Sequence, residues 1–255
     1  MEAERDLFVR QLAEKLRAYR RNAERRGSAM ASLMEAVQAR TGVVIEGYRA
    51  DSDLAHLDRV NGLAQQLRFE EGGDALILVA GSYVHDYRGM LERRRKALES
   101  DVTVGVINEL IAETLAAVDF PAELVSRVCD CIEFAGRDSF SEDAFHTASV
   151  EARILHDANN LDALGAIGVA RAFMLGGAIG EPIWLQYTGV SAGGELVPST
   201  SIVHHFHEKL LRLKDRMLTE AGRTFAEARH DFMVLFLDAL EGERGLTVGE
   251  SYPPV

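Results

Sequence analysis

An all-α helical bundle is what this sequence predicts, and three observations carry the prediction. Apolar residues recur at helical spacing in one segment after another, the breaks between those segments are short, and neither strand-like alternation nor an internal repeat appears. A chain of 255 residues can bury a full core, so one domain, or one domain with an appendage, is expected.

Leu7, Leu12 and Leu16, with Val9 and Tyr19 nearby, make an amphipathic first helix that Gly27 is placed to end. A second short helix is expected over residues 29–39, followed by the irregular stretch TGVVIEGYRADSD. Residues 1–50 therefore read as an N-terminal helical extension, 51–242 as the main domain and 243–255 as a C-terminal tail. In the main domain Leu57, Val60, Leu63, Ala64 and Leu67 form one apolar stripe. LILVAGSYVHDY is nearly all apolar; its period suits a buried strand as well as a buried helix, and its helical surroundings decide for a central helix. Leu110, Leu115 and Val118 mark a further helix, and Leu124, Val125, Val128 and Ile132 another. Asp119-Phe120-Pro121 turns between those two, with Pro121 at a helix start. ARILHDANNLDALGAIGVARAFML reads as one long apolar helix, in which Gly165 and Gly168 allow another helix to come close. The Gly-rich stretch over residues 176–200 is longer than a connector needs and is a candidate lid or oligomer contact. Val203, Phe206, Leu210, Leu213 and Met217 give the stripe of another helix, and a last one covers about 225–240.

Charge and composition exclude several classes. The formal net charge is −12, yet residues 1–26 carry eight Lys or Arg against five Asp or Glu, so the body is more acidic than the total. Broad nucleic-acid binding runs on phosphate neutralisation by basic side chains and is not expected from such a body. The basic cluster Arg20, Arg21, Arg25 and Arg26 reads as a solvated face, the alternative being contact with an anionic partner. No apolar run reaches the length of a membrane span, and the N-terminus lacks the pattern of a secretory signal, so a cytoplasmic protein is expected. Cys129 and Cys131 lie two apart on a predicted helix, point in different directions and read as reduced packing residues. No phosphate-loop or dinucleotide fingerprint is present, since GAIGVA falls inside a helix with no strand before it.

Histidine carries the chemical signal. His56 stands at the start of an amphipathic helix, and His85 and Asp86 are adjacent at the end of the most apolar one. An imidazole and a carboxylate at the end of a buried helix cost desolvation, which a divalent metal offsets, and a third ligand from a preceding helix suits a transition metal better than calcium. An adjacent His-Asp pair is by itself a weak signal; the order is stronger, with His56, then His85-Asp86, then the Asp-rich helix LHDANNLDALGAIG.

In that order, and in the segments AHLDRVNGLA, LVAGSYVHDYRG, ILHDANNLDALGAIGVARAF and STSIVHHFHEKLLRLKDRMLTE, the chain resembles the HD-domain metal-dependent phosphohydrolase superfamily. Within it the chain is most similar to a branch of small bacterial proteins implicated in nucleotide pyrophosphohydrolysis, from about residue 50 to 240. The resemblance implies His56, His85 and Asp86 as metal ligands, with Asp86 also positioning the attacking water. It implies one divalent ion per chain, Mn, Fe, Co, Ni or Mg, and leaves another nearby carboxylate as the alternative to Asp86 for positioning the water. The last ligand departs from the branch, which reads Asp-Ala-Asp-Arg-Leu-Asp-Ala where this chain has Asn159 at the second aspartate. Either Asn159 makes a weakened site or Asp157 makes a shifted one, although two residues along a helix turn the side chain by about 200°. Asp138 is a second departure, standing where relatives often have histidine. Arg88, close to the His-Asp pair, and His205, Lys209 and Lys214 are candidate phosphate contacts, with Arg93, Arg94, Arg95 and Lys96 as further cations. His146, His156, His204, His207 and His230 read as surface or capping residues.

The expectation is a metal-dependent phosphohydrolase for a nucleotide or similar small phosphorylated metabolite. Two rivals stand beside it: a degenerate HD protein that binds or assembles, and a di-iron HD oxygenase needing histidines that only His146 and His156 could supply. A homo-oligomer through the N-terminal helices or the 176–200 stretch is also expected.

Overall fold

The computed structural model describes residues 2–25, 50–87, 104–135, 148–184, 187–190, 196–198 and 201–245. The second helix expected over 29–39, Arg88, the 93–96 cations, Asp138, His146 and the C-terminal tail lie outside the described residues. Helices dominate, as expected: α1 (Glu2–Arg25), α2 (Ala50–Glu71), α3 (Ala75–Val84), α4 (Val104–Ala116), α5 (Val125–Ala135), α6 (Val150–Leu161), α7 (Gly165–Ile179), α8 (Ile202–Glu208) and α9 (Glu220–Gly245). Short 3-10 turns precede α5 at Ala122–Leu124 and follow α8 at Leu210–Arg216. The 176–200 stretch, where no strand was expected, contains a two-stranded antiparallel ribbon, β1 (Tyr187–Val190) with β2 (Leu196–Pro198), in which Gly189 pairs with Val197. Among the described residues no single helix is long and apolar enough to cross a membrane.

The chain divides into two compact units, one of Met1–Asp162 with Met217–Gly222, the other of Ala163–Arg216 with Arg223–Val255. In the first, α3 is the central helix: nine of its residues, Ala75 and Ile77 through Val84, are buried. Asp74 caps it by accepting from the Leu76 amide at 2.9 Å, while its own N–H reaches Glu151 at 2.9 Å. Around α3 pack α1, α2, α5 and α6. Leu57, Val60, Ala64 and Leu67 bring the stripe of α2 into this core, as the sequence pattern predicts. A Cβ on Gly81 would meet Leu155 Cδ2 at 3.0 Å, so this glycine sets how close α3 lies to α6.

On α1 the buried stripe is Leu12, Leu16 and Arg20, each one turn after the last, while Leu7 is exposed. This corrects the reading of Arg20 as part of a solvated basic face. The turn after α4 comes as expected: Asp119 has φ 59° and Pro121 caps the 3-10 turn. Cys131 is buried and Cys129 half-buried, both free, and burial pushes the Cys131 thiol up to about 11.

The long apolar helix of the sequence reading is two helices. It stops at Leu161 and restarts at Gly165, whose φ of 72° a side-chain-bearing residue rarely adopts. A Cβ on Gly165 would press on Arg229 Cγ at 3.1 Å, so α9 does come close there. At Gly168 a Cβ would instead collide with the Ala163 carbonyl; this glycine serves the restart of α7, not a neighbouring helix. In the second unit Phe206 is buried, with Phe173 6.0 Å from it between ring centroids and 5.8 Å from Phe236. The helix expected from Val203 to Met217 breaks after Glu208, because Lys209 leaves helical geometry (φ −127°, ψ −60°) and a 3-10 stretch follows.

Candidate metal centre

His56 and His85 meet. One lies in the second turn of α2 and the other caps the C-terminus of α3, two helices packed on each other, and their Nε2 atoms are 3.3 Å apart. What lies behind each ring decides where its proton sits. His85 Nδ1 is 2.9 Å from the Ser82 carbonyl, which can only accept, so Nδ1 donates and Nε2 keeps its lone pair in the neutral ring. Burial holds His85 below the ordinary histidine value; Asp86 pulls the other way, and the charges of His56 and Arg20 add to the lowering. His56 Nδ1 is 2.7 Å from Asp162 Oδ2, so its neutral ring also turns a lone pair inward.

Asp162 is almost fully buried and is clamped from the other side by Arg59, through Nε to Oδ1 at 2.6 Å and Nη2 to Oδ2 at 3.0 Å. Two lone pairs 3.3 Å apart repel unless a proton or a cation lies between them. Imidazoles bound at the usual 2.0–2.1 Å to one tetrahedral ion stand about 3.3–3.4 Å apart, so the pair fits a transition-metal ion. Its outer nitrogens are tied as those of metal-binding histidines generally are.

Asp86 does not complete the set. Its Oδ2 accepts from Arg20 Nη2 at 2.7 Å, and its Oδ1 is buried without a partner among the described residues. Burial works against the Arg20 charge, but Asp86 and Tyr87 outweigh it and hold the guanidinium above its usual value. No three His, Cys, Asp or Glu side chains among the described residues gather as a metal set.

On α6 Leu155 contacts α3 at Gly81 and Asp162 reaches His56 on α2, and Asn159 falls between them at helical spacing, half-buried. Asp157 lies on another face and is fully buried. It accepts from the Leu218 amide at 2.9 Å, the Thr219 amide at 2.8 Å and the Thr219 hydroxyl at 2.7 Å, just before α9. A Cβ on Gly222 would collide with its Oδ2. Asp157 is thus engaged away from a cation: its carboxylate holds the start of α9.

His156, read as a surface or capping residue, is buried as well, 3.0 Å from Asp157 Oδ1 and 3.1 Å from Asn160 Nδ2. Its ring is engaged by these two neighbours on its own helix. His204 and His207 are exposed, and His230 is partly so. His205, Lys209 and Lys214 belong to the second unit, with Lys209 exposed; burial, then the charge of Lys209, lowers His205.

Three residues at the centre, Asp162, Arg59 and Arg20, were not expected there from the sequence. Asp162 with Arg59 could have been found from spacing, each standing three residues after a candidate ligand, Asn159 and His56. Arg20 gave one signal, its place one turn beyond Leu16.

No model of a known protein family matches the chain. YpgQ of Bacillus subtilis is 33% identical over 217 residues, covering 83% of this chain and 95% of that protein. A crystal structure of YpgQ matches with a TM-score of 0.55 at 27% identity, over 87% of this chain and 97% of the other. A crystal structure of YpgQ in complex with ADP matches with a TM-score of 0.59 at 24% identity, over 92% and 96%. An HD-superfamily hydrolase from Bacillus thuringiensis matches with a TM-score of 0.55 at 26% identity, over 85% and 97%.

Proposed function

The chain belongs to the HD-domain superfamily, whose hydrolases use a divalent metal, and from that premise we propose that it is a metal-dependent phosphohydrolase acting on a nucleotide or similar small phosphorylated metabolite. The observation that carries the proposal is the facing pair of Nε2 atoms on His56 and His85, 3.3 Å apart with Asp86 next in sequence. His56, His85 and Asp86 would hold the cation. When bound, it supplies Lewis-acid polarisation of a phosphoryl oxygen and a water of lowered pKa. Asp162 keeps the proton of His56 on Nδ1 and Arg59 keeps Asp162 in place, so the ring cannot turn away. The Ser82 carbonyl does the same for His85. Asp86 contributes the negative charge and orients the water, and Arg88 is proposed to meet the phosphate. That YpgQ has been crystallised in complex with ADP supports a nucleotide over other phosphate esters.

Phosphate release, measured with and without added pyrophosphatase over a panel of nucleotides and with Mn, Co, Ni, Fe or Mg, tests this. Metal-dependent turnover that disappears in His85→Ala is expected. Absence of turnover on every substrate, with one cation bound per chain, overturns it.

A second reading, a binding or assembly protein on a weakened site, is favoured by Asn159 and by the engagement of Asp86 with Arg20. Turnover that appears only in Asn159→Asp would select it.

A further inference from the structure

We propose that Arg20 is a built-in rival of the divalent cation for Asp86, so that docking of α1 keeps the centre in a low-affinity state and cation loading displaces the guanidinium. The proposal rests on the reading of His56, His85 and Asp86 as a cation centre and names its regulation. Arg20 is the third member of a stripe whose other members, Leu12 and Leu16, are core residues, and all three are at most 2% exposed. A buried guanidinium is tolerated only where its charge is met. Here Asp86 Oδ2 meets it at 2.7 Å, and the Tyr87 ring lies 4.7 Å from Cζ.

The pairing is incomplete. Among the described residues Arg20 Nε and Nη1 and Asp86 Oδ1 have no partner, so one hydrogen bond stands between the two where a forked pair makes two. A neighbouring tether is similar in kind: Arg17 reaches Asp58 at 2.8 Å with both side chains partly exposed, and Tyr83 donates to the other Asp58 oxygen at 2.7 Å. The near end of α1 is thus held over the centre by polar contacts that can be exchanged, and Leu12 and Leu16 anchor the rest.

The surrounding carboxylates explain why guanidinium and dication exclude one another. Asp162 is taken by His56 and Arg59, Asp157 by the amides before α9, and Asn159 brings no charge. Among the described residues Asp86 is then the carboxylate left at the centre, and one carboxylate cannot neutralise both cations.

The test is titration of the chelator-stripped full chain with Mn²⁺ by calorimetry, on the wild type, Arg20→Met and Arg17→Met. Arg20→Met is expected to bind about tenfold more tightly than the wild type. Arg17→Met, which loosens α1 without touching Asp86, is expected to gain a smaller factor and carries the test if Arg20→Met does not fold. Hydrogen exchange supplies the reciprocal readout: Mn²⁺ is expected to speed exchange of amides in residues 8–21 of the wild type. Equal or weaker binding by both variants, or protection of those amides, overturns the rivalry while leaving the centre intact. Failure of wild type, both variants and Asn159→Asp to bind one cation per chain would remove the centre, and the rivalry with it.

Discussion

The two histidines are held by their backing groups, and this is where substitutions should be most informative. Asp162→Asn keeps the shape behind His56 but removes the charge that fixes its proton and pairs with Arg59. We expect cation affinity to fall about 10–100-fold, read by calorimetry, with helix content unchanged. His85 makes a pH prediction. Its pKa in the fold lies below the ordinary 6.5, so the unfolded chain binds more protons at acid pH. The stability it contributes is therefore complete above about pH 6.5 and is lost as pH falls through its lowered native value. Urea unfolding of the metal-free chain between pH 7.5 and 5.5 should show this decline, and His85→Gln should reduce it. Asp157 shows the opposite use of an acid: Asp157→Ala strands the donors of Leu218 and Thr219 in the core and is expected to cost about 3 kcal/mol in the same assay.

At the scale of elements, helix existence was well predicted because each helix buries a stripe that local spacing alone reveals: Leu57, Val60, Ala64 and Leu67 on α2 are an example. The failures sit where backbone geometry changes within an apolar run. Leu161 to Gly165 keeps helical apolar spacing through a real break, because a positive φ at glycine leaves no mark on hydrophobic pattern. The ribbon at 187–198 is too short for strand alternation to show. α1 yields the prediction of this scale. Leu16 is fully buried against the first unit, so Leu16→Ala is expected to cost about 2–5 kcal/mol in chemical denaturation and to unseat Arg20, raising cation affinity as it lowers stability.

For the whole molecule, a cation that binds the folded chain alone must stabilise it. With the free ion at about one hundred times its Kd the gain is about 2.7 kcal/mol, visible as a rise in Tm on adding Mn²⁺ that is absent in His85→Ala. The divide between the two units falls at Asp162, inside the stretch from 51 to 242 that reads as one domain in sequence. Nothing in composition marks it, since apolar helices run on both sides.

By itself the sequence determined the helices, their buried faces and the adjacency of His85 and Asp86, since these depend on neighbours a few residues apart and on helical period. It also carried the resemblance from which His56 was chosen. Tertiary structure alone decided the rest. Arg20 meets Asp86 across 66 positions, His56 meets Asp162 across 106, and Asp157 serves an amide 61 positions on. Which acid holds a helix, which backs a histidine and which meets a buried arginine follows from the faces that pack together, and a periodic pattern records that a face is buried without recording its partner.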